Sequence, residues 1–448
     1  MKTMKTMKHF LSMAAFALMG AMMTGCSNDD NINNPQPESK SKLETLTTTI
    51  SLGEDGTTRA LTPGGVKTFA AGEQIAVIYL NTNSNIKKAV STALTTTDIS
   101  NEGKTATFTV TLSNPDKTKN VIYAYPASMI DDDGMMNIAA LATQDGTFDT
   151  LESSLDFAAG AGDWNGEELP SVTLDNQLAI LAITLKDAAG TNDITSTITG
   201  MTLSDGTSTC TVTREAAAGP IYVAITPVYS SDVTITATDG TKNYFKSLTD
   251  KSYAANNGYN VSWKMYGVGD VILANGSFAK AGTEGAIAKI TYVGSDAETS
   301  NTYNHGLALA LEDADSSAQS WCAQTSSTCL STQYDGFSML NDVAGIANTV
   351  ALVGSELHAH NAATAAIYYN GATYPEGTSG WFLPSAGQWS KMATAAGGYN
   401  NLGLQANAYY WSSTEVSAEG AWLFKSDTGY WYDSTKNNDN RVRACLAF

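Results

Sequence analysis

The sequence is poor in charged residues, and above all in positive ones. Only 15% of its 448 residues are charged, below the roughly 25% of an ordinary soluble domain. Against 44 Asp and Glu stand 25 Lys and Arg, and the formal net charge of −19 would repel a phosphate backbone, which excludes nucleic acid as a partner. Thr, Ser, Asn and Gly take the place of charge, which favours strands and turns over helices.

Residues for catalysis are also scarce. The chain has four His and lacks a G-x-S-x-G elbow, a P-loop and an H-E-x-x-H helix. Glu356, His358 and His360 could bind a metal, but a short polar turn without a third firm ligand favours plain surface. The acidic pair Glu312-Asp313 has no defined partner and is expected to be solvated or to cap a helix. We therefore expect neither an enzyme nor a metal site.

The first 26 residues are typical of a signal peptide for export. Three Lys in the first eight residues precede the apolar run Phe10–Met23, which is typical of a secretory signal and too short for a membrane span. The end of the signal, Met23-Thr24-Gly25-Cys26, resembles a lipobox, so Cys26 is the predicted lipidation site. Ordinary secretion with a free Cys26 is the alternative.

An acidic run, Ser27-Asn28-Asp29-Asp30, follows Cys26 directly and resembles the signal that sends lipoproteins to the cell exterior in some Gram-negative bacteria. Residues 27–42 are otherwise a polar linker without periodicity. The predicted location is therefore the outer-membrane surface, with the outer-membrane lipid as a partner through Cys26.

Residues 43–266 carry many short strand patterns. Thr105–Leu112 and Tyr259–Met265 alternate strictly between polar and apolar residues, the period of a strand with one buried face. Gly, Asn and Asp separate the patterns, which is typical of β-sandwiches, and the length favours two in series. A boundary near Asp163–Pro170 divides them into 43–165 and 166–266. The other predicted strands are Thr45–Leu52, Gln74–Leu80, Val121–Tyr125, Leu178–Leu185, Tyr222–Val228 and Val233–Thr238.

The last third of the chain combines a helix with short strands. Ser385 with Gln388 three residues on forms a capping box, which predicts a helix through Met392. The pattern indicates that Trp381 and Trp389 fill a core. Because the chain closes on an apolar strand, we expect its end to be tucked into a sheet. Short strands are predicted at Trp411, Ala421–Phe424 and Arg441–Leu446.

Four motifs of this region occur in a characteristic order. His305–Asp313 reads H-G-L-A-L-A-L-E-D, Gly380–Trp389 reads G-W-F-L-P-S-A-G-Q-W, Tyr410–Glu415 reads Y-W-S-S-T-E, and Val442–Cys445 reads V-R-A-C. This order resembles the compact C-type-lectin-like domains that end many bacterial surface lipoproteins and adhesins. The resemblance covers Val271–Phe448 and implies an α+β domain at 271–448.

Such domains bind through surface loops on a rigid scaffold. Those that bind sugar through calcium use a Glu-Pro-Asn or Gln-Pro-Asp loop and a Trp-Asn-Asp strand, and this chain has neither. Asp433 and Asn437–Asn440 could offer oxygen ligands to calcium, with a polar turn between strands as the alternative. No cofactor is therefore predicted, and an extracellular protein or a calcium-free glycan remains as the ligand. Tyr430, Trp431 and Tyr432 are the binding candidates, because three consecutive aromatics cannot all face inward from a strand.

A second resemblance covers Leu43–Met265. The segments Phe69–Val77, Ala106–Leu112, Ile221–Pro227 and Asn257–Val261, in this order after a lipobox, look like the fimbrillin family. Fimbrillins are pilus subunits built from two transthyretin-like β-sandwiches. The predicted fold is therefore mainly β, with two tandem transthyretin-like β-sandwiches followed by the α+β C-type-lectin-like domain.

In fimbrillins an Arg-specific protease cuts a loop near the N-terminus and releases the first strand with its lipid anchor. The open groove then accepts a strand from a neighbouring subunit by β-strand addition. The matching bond here is Arg59–Ala60, and the leaving strand is Thr45–Leu52. On the residues alone, Arg59 is a solvated loop residue and nothing is cut.

The chain ends in a folded domain and leaves no spare strand to donate. The resemblance thus implies an accepting, non-donating subunit of the fimbrium, at the pilus tip. The alternative is a non-polymerising surface lipoprotein that binds glycan or protein.

The cysteines fit an exported protein. With Cys26 lipidated, four remain. The lectin-like fold usually ties its first helix to its last strand, so the resemblance implies a disulfide between a helical Cys322 and Cys445. Cys322–Cys329 is the local alternative, and Cys210 is expected to be a buried free thiol.

Overall fold

Strands dominate the chain in a computed structural model, at 41% strand against 16% helix, as the sequence predicts. The structure describes residues 42–53, 68–137, 139–155, 157–300, 302–323, 327–354 and 359–448. The predicted signal peptide, Cys26, Arg59, Ala60 and His358 lie outside these ranges. Two units divide the chain: the first comprises residues up to Thr184 with Thr195–Ile235 and Ser247–Trp263, the second Leu185–Ile194, Thr236–Lys246 and Lys264–Phe448.

The first unit contains an eight-stranded sheet within the described residues, in the order β3-β2-β6-β8-β9-β1-β5-β4. Its strands are β1 (Leu43–Leu52), β2 (Ala76–Leu80), β3 (Ile86–Val90), β4 (Ile99–Ser100), β5 (Thr105–Ser113), β6 (Val121–Tyr125), β8 (Ala158–Gly162) and β9 (Val172–Asn176). The predicted strands in this region are confirmed, with ends that differ by a few residues.

The boundary predicted at Asp163–Pro170 falls between two neighbouring strands of this sheet. β8 and β9 flank it and pair antiparallel, with Ala158 opposite Asn176. The sheet therefore continues past the predicted boundary. Gly, Asn and Asp in this stretch mark a hairpin connection and not a domain linker.

Two further sheets of the described chain have the orders β13-β10-β16 and β17-β15-β14-β11-β12-β7. Their strands are β7 (Thr143–Gln144), β10 (Ala179–Lys186), β11 (Gly200–Ser204), β12 (Thr209–Thr213), β13 (Ile221–Ile225), β14 (Val228–Thr238), β15 (Asn243–Tyr253), β16 (Asn257–Lys264) and β17 (Tyr266–Gly267). Short helices α1 (Ala139–Ala142) and α2 (Phe148–Thr150) precede a π-helical turn at Leu151–Leu155. β15 was not predicted, because its mixed Lys, Asp and Ser content hides the alternation.

Among the described residues, the rest of the second unit forms three sheets. Their strand orders are β19-β18-β20-β21-β27, β22-β26 and β23-β24-β25. Their strands are β18 (Val271–Leu273), β19 (Phe278–Ala279), β20 (Ala286–Val293), β21 (Gly306–Ala310), β22 (Gln319–Ser320), β23 (Tyr409–Glu415), β24 (Gly420–Lys425), β25 (Trp431–Thr435), β26 (Asp439–Asn440) and β27 (Cys445–Ala447). The helices are α3 (Gly345–Val353), α4 (Asn361–Ile367) and α5 (Ala386–Ala396).

Helix α5 is the helix that the capping box predicts. The Gln388 side chain reaches back to the backbone N–H of Ser385, which donates to Oε1 at 2.9 Å. The helix ends where Gly397 adopts φ 76°, a left-handed conformation that costs glycine little. Trp389 of this helix is fully buried and Trp381 is 4% exposed, so the prediction that both fill a core is confirmed.

The chain end is held in the five-stranded sheet. β27 pairs antiparallel with β21, and Phe448 is 4% exposed. Its ring lies 5.3 Å from that of Phe245 and 5.2 Å from that of Phe278. The prediction of a tucked end is confirmed. Since Phe245 and Tyr266 belong to this core, the second unit takes in residues that the predicted boundary at 271 had left outside.

Candidate functional site

Strand β1, the predicted leaving strand, lies inside the first sheet with a partner on each side. It pairs antiparallel with β5 from Leu43 to Ser51 and parallel with β9 from Ile50 to Leu52. Because side chains alternate along a strand, Thr48, Ile50 and Leu52 face the core, at 3%, 0% and 3% exposure. The strand is thus held by backbone bonds on both sides and by a buried face.

Polar contacts add to this hold. The Thr48 hydroxyl donates to the Pro170 carbonyl at 2.8 Å. Glu44 accepts from Lys117 at 2.6 Å and from Lys42 at 3.0 Å. These two hydrogen bonds, that of Lys117 first, lower the pKa of Glu44 below its usual value. Lys117 also bonds Glu167, so one ammonium bridges β1 and the β8–β9 hairpin.

Loss of β1 would open a groove between β5 and β9. The inward residues Phe108 and Val110 of β5 and Leu174 of β9, which share a buried cluster with Ile50, would meet water. Backbone N–H and C=O groups along both strands would lose their partners, which costs too much to persist without a replacement strand. The segment that follows Gly53 contains Arg59 and lies outside the described residues.

Aromatic side chains on the three-stranded sheet of the second unit form a partly exposed surface. Tyr430 is 67% exposed and Tyr432 41%. Trp431 turns inward instead: its ring lies 5.2 Å from that of Phe424, and its Nε1–H donates to the Tyr399 hydroxyl at 3.1 Å. Among the three sequence candidates, two therefore face solvent and one packs against the core.

Tyr409, which the sequence reasoning missed, joins them. Its ring lies 5.6 Å from that of Tyr432 in an edge-to-face arrangement, and it is 39% exposed. Lys425, opposite Tyr409 on β24, is paired with Asp427 at 3.5 Å. No local signal marked Tyr409, because Trp411 lies on the same face of β23 two residues on and is fully buried. We call Tyr409, Tyr430 and Tyr432 the tyrosine patch; such rings stack on sugars and peptides.

A buried ion pair lies at the end of strand β23. Lys436 and Glu415 have fully buried side chains and meet at 2.5 Å. Glu415 also accepts from the backbone N–H groups of Cys329 and Leu330 at 2.7 and 2.9 Å, and Lys436 donates to the Ala418 carbonyl at 2.9 Å. Both charges are thus compensated inside the core, which a buried ion pair requires.

Asp313 corrects the expectation of a solvated acidic pair. Its carboxylate lies 2.7 Å from the guanidinium of Arg441 and 2.7 Å from that of Arg443. The Tyr410 hydroxyl donates to it at 2.9 Å. Asp313 is therefore bound by Tyr410 of β23 and by two arginines of the segment between β26 and β27, while its neighbour Glu312 is exposed.

The cysteines also depart from expectation. Cys322 and Cys445 are free thiols in the structure, and they belong to different buried clusters, so the predicted bridge between them is not formed. Cys322 follows β22 and is not helical. Its sulfur lies within 4.8 Å of that of Cys329. Cys210 is buried and free as predicted, and burial raises its pKa to about 12.

Two other segments that the sequence analysis named have structural roles. Asp439 and Asn440 form β26 and pair with Gln319–Ser320, so these two residues lie in a short strand, and the turn comprises the residues just before it. His305 stacks on Phe245 at 5.0 Å, and burial lowers the pKa of its imidazole. His305 therefore has a packing role.

No protein-family model matches the chain, and no curated protein matches its sequence. Among solved structures, the chain is similar to a fimbrial protein from Bacteroides ovatus at 15% identity and a TM-score of 0.32, over 90% of this chain and 98% of that one. A fimbrial assembly protein from Parabacteroides distasonis is 11% identical with a TM-score of 0.28, over 50% and 91%. GBS52, the minor pilin of Streptococcus agalactiae, is 11% identical with a TM-score of 0.21, over 50% and 96%. Similarities this low assign neither a fold nor a function to this chain.

In the described part of the chain, no helix has both the length and the apolar character needed to cross a bilayer.

Proposed function

We propose that this chain is a cell-surface pilus subunit that exchanges its strand β1 for a strand of a neighbouring subunit and binds an extracellular ligand through its second unit. The position of β1 carries the proposal. β1 lies between β5 and β9, and its removal leaves a groove shaped for one strand. The sequence resemblance to fimbrillins supports the same exchange.

Cleavage at Arg59–Ala60 is the proposed trigger. β1 ends at Leu52, and the bond lies shortly after it in the sequence, so a cut there would leave β1 held without a covalent link to the rest of the sheet. The strand would then depart with the lipid at Cys26, and mass action with a partner strand would drive the exchange. The products are a chain that starts at Ala60 and a short lipidated fragment.

Treatment of the full chain with an Arg-specific protease tests this step. We expect one early product that begins at Ala60, identified by N-terminal sequencing. Arg59→Lys should abolish that product. Arg214→Lys is the matched control, because Arg214 also follows a strand but its guanidinium donates to the Glu215 and Ala217 carbonyls; it should leave the product unchanged. Early cleavage at Arg214 with Arg59 intact would contradict the proposal.

We propose that this subunit lies at the pilus tip as an acceptor that does not donate strand β27. Strand β27 supports this, because it pairs with β21 and is fully buried, and its release would expose the core around Phe448. A shaft subunit would need a strand that leaves without such a cost. Immunogold labelling of pili should find this chain at one end only, and labelling along the shaft would contradict the tip assignment.

The tyrosine patch is the proposed ligand surface of the lectin-like second unit. Its exposed rings offer stacking faces, and no calcium motif accompanies them in the sequence, so we infer binding of a calcium-free glycan or of a protein. A glycan and matrix-protein array with the full chain, in the presence of a chelator, tests this. The isolated 271–448 segment is unsuitable, since it lacks Phe245, which packs against Phe448.

A non-polymerising surface lipoprotein is the second candidate. The full pairing of β1 and its contacts through Glu44 and Thr48 favour it, because they keep the groove filled while the chain is uncut. Absence of the chain from sheared pili, together with its presence in the outer membrane, would favour the non-polymerising lipoprotein over the pilus subunit.

A further inference from the structure

Three potential metal ligands converge in the second unit, outside both surfaces described above. The sulfurs of Cys322 and Cys329 and a ring nitrogen of His360 all lie within 4.8 Å of one another. Cys322 is fully buried and His360 is 2% exposed, whereas Cys329 is half-buried. Cys322 lies just after β22, and His360 directly precedes α4. The three ligand atoms therefore come from separate segments that the fold brings together.

We propose that Cys322, Cys329 and His360 bind a zinc ion. Two thiolates and one imidazole are a ligand set that Zn²⁺ uses in proteins. In a tetrahedral site with Zn–S distances of about 2.3 Å, two sulfur ligands lie about 3.8 Å apart. Side-chain movements of about 1 Å or less would thus bring these atoms to coordination distance. Water occupies the remaining position, as in zinc sites with three protein ligands.

The charges around the site favour a divalent ion with two thiolates. The ammonium of Lys436 lies 3.9 Å from the Cys329 sulfur and 2.5 Å from the Glu415 carboxylate. The ion pair has no net charge, and neither does Zn²⁺ with two thiolates, so the occupied site stays neutral inside the core. Lys436 would also donate to a sulfur ligand, the kind of outer contact that orients metal ligands.

The backbone supports the same position. The N–H of Cys329 donates to Glu415 at 2.7 Å, and the Cys322 N–H donates to the Lys436 carbonyl at 3.0 Å. Both cysteines are therefore fixed relative to the ion pair. On binding, each thiol transfers its proton to solvent, and two Zn–S bonds form. The ion would join the segments around β22, Cys329 and α4, and so stabilise the unit that carries the tyrosine patch.

Sequence reasoning predicted no metal site for a physical reason. Cys322 and His360 are far apart in the chain, and the six residues between the cysteines differ from the short Cys-x-x-Cys spacing of familiar zinc motifs. The sequence grouped His360 with Glu356 and His358, which lie outside the described residues, while the structure groups His360 with two sulfurs.

Titration of the reduced full chain with Zn²⁺ alone tests the proposal. We expect roughly one ion per chain, a higher melting temperature, and near-ultraviolet thiolate-to-metal absorption when Co²⁺ replaces Zn²⁺. Cys322→Ser and Cys329→Ser should each weaken binding by about tenfold or more. Cys210→Ala is the matched control, a buried thiol on β12 that should leave binding unchanged.

Three results would overturn the site. The first is that the reduced wild-type chain binds no Zn²⁺, a result that needs no variant and so does not depend on how a variant folds. The double variant C322S/C329S, folded by circular dichroism, could retain full affinity. Mass spectrometry could find a Cys322–Cys329 disulfide in the chain isolated from cells under thiol-blocking conditions.

Discussion

Replacement of Ile50 by alanine should loosen strand β1 once the loop behind it is cut. Ile50 is fully buried, and Ile→Ala changes at such positions cost about 2–5 kcal/mol. At about 1.4 kcal/mol per factor of ten, retention of the severed strand should fall about 30-fold to a few thousand-fold. The rest of the sheet is little affected after cleavage, because Ile50 lies on the strand that leaves.

The assay separates cleavage from exchange. A site for a specific protease, inserted between Gly53 and Arg59, allows every variant to be cut to completion. Native mass spectrometry then measures how much β1 fragment stays bound over time. Ile50→Val, which costs about 0.5–1.5 kcal/mol, should give an intermediate loss and guards against failure of Ile50→Ala to fold.

Thr47→Ala is the matched control for this series. Thr47 is exposed on the opposite face of the same strand, so its loss should change stability by about 0.5 kcal/mol or less. If the Ile50→Ala fragment stays bound as long as the Thr47→Ala fragment, the buried face does not hold β1 in the sheet.

Three further outcomes are expected. Lys436→Met leaves the buried Glu415 charge uncompensated and should lower the free energy of unfolding, measured with denaturant, by about 3–5 kcal/mol. The control Lys391→Met removes a surface ion pair with a 30% exposed lysine and should lower it by about 1 kcal/mol or less. Equal losses in the two variants would contradict this. Tyr430→Ala should weaken binding of whichever ligand the array identifies while the melting temperature stays unchanged. Unchanged binding would show that the tyrosine patch is not the ligand surface. Because folding lowers the pKa of Glu44, Glu44 helps to retain β1 at pH values above its unfolded-state pKa of 4.5, and this contribution is lost as the pH falls through its folded-state pKa. A Glu44→Gln chain should therefore lack this loss of β1 retention at acid pH. An identical loss in both chains would refute the assignment.

Local patterns predicted the elements well. Strict alternation located the ends of β5 to within one residue and those of β16 to within two, and the capping box located the start of α5. Each of these signals lies within a short window of sequence, where side-chain period and terminal hydrogen bonds decide the structure.

Pairings between distant segments escaped prediction. Thr48 bonds Pro170 across 122 residues, so the sequence could not indicate that the first sheet continues past residue 165. Asp313 looked solvated because its arginine partners lie more than a hundred residues away. Cys322 was assigned to Cys445 by resemblance, whereas its sulfur neighbour is Cys329.

The tyrosine patch was partly predictable. Three consecutive aromatics at Tyr430–Tyr432 required an exposed ring, and the structure exposes two. The inward turn of Trp431 depends on Tyr399 and Phe424, which come from other segments, so no local pattern could indicate which ring would pack.

Uptake of a labelled strand tests the exchange most directly. A fluorescent peptide with the sequence of residues 42–53 is incubated with the chain before and after treatment with an Arg-specific protease, and bound label is measured by gel filtration. We expect uptake of about one peptide per cleaved chain, and none by the uncut chain or by Arg59→Lys. Equal labelling of cut and uncut chains, or a cleaved chain that keeps its own strand and takes up no peptide, would contradict it.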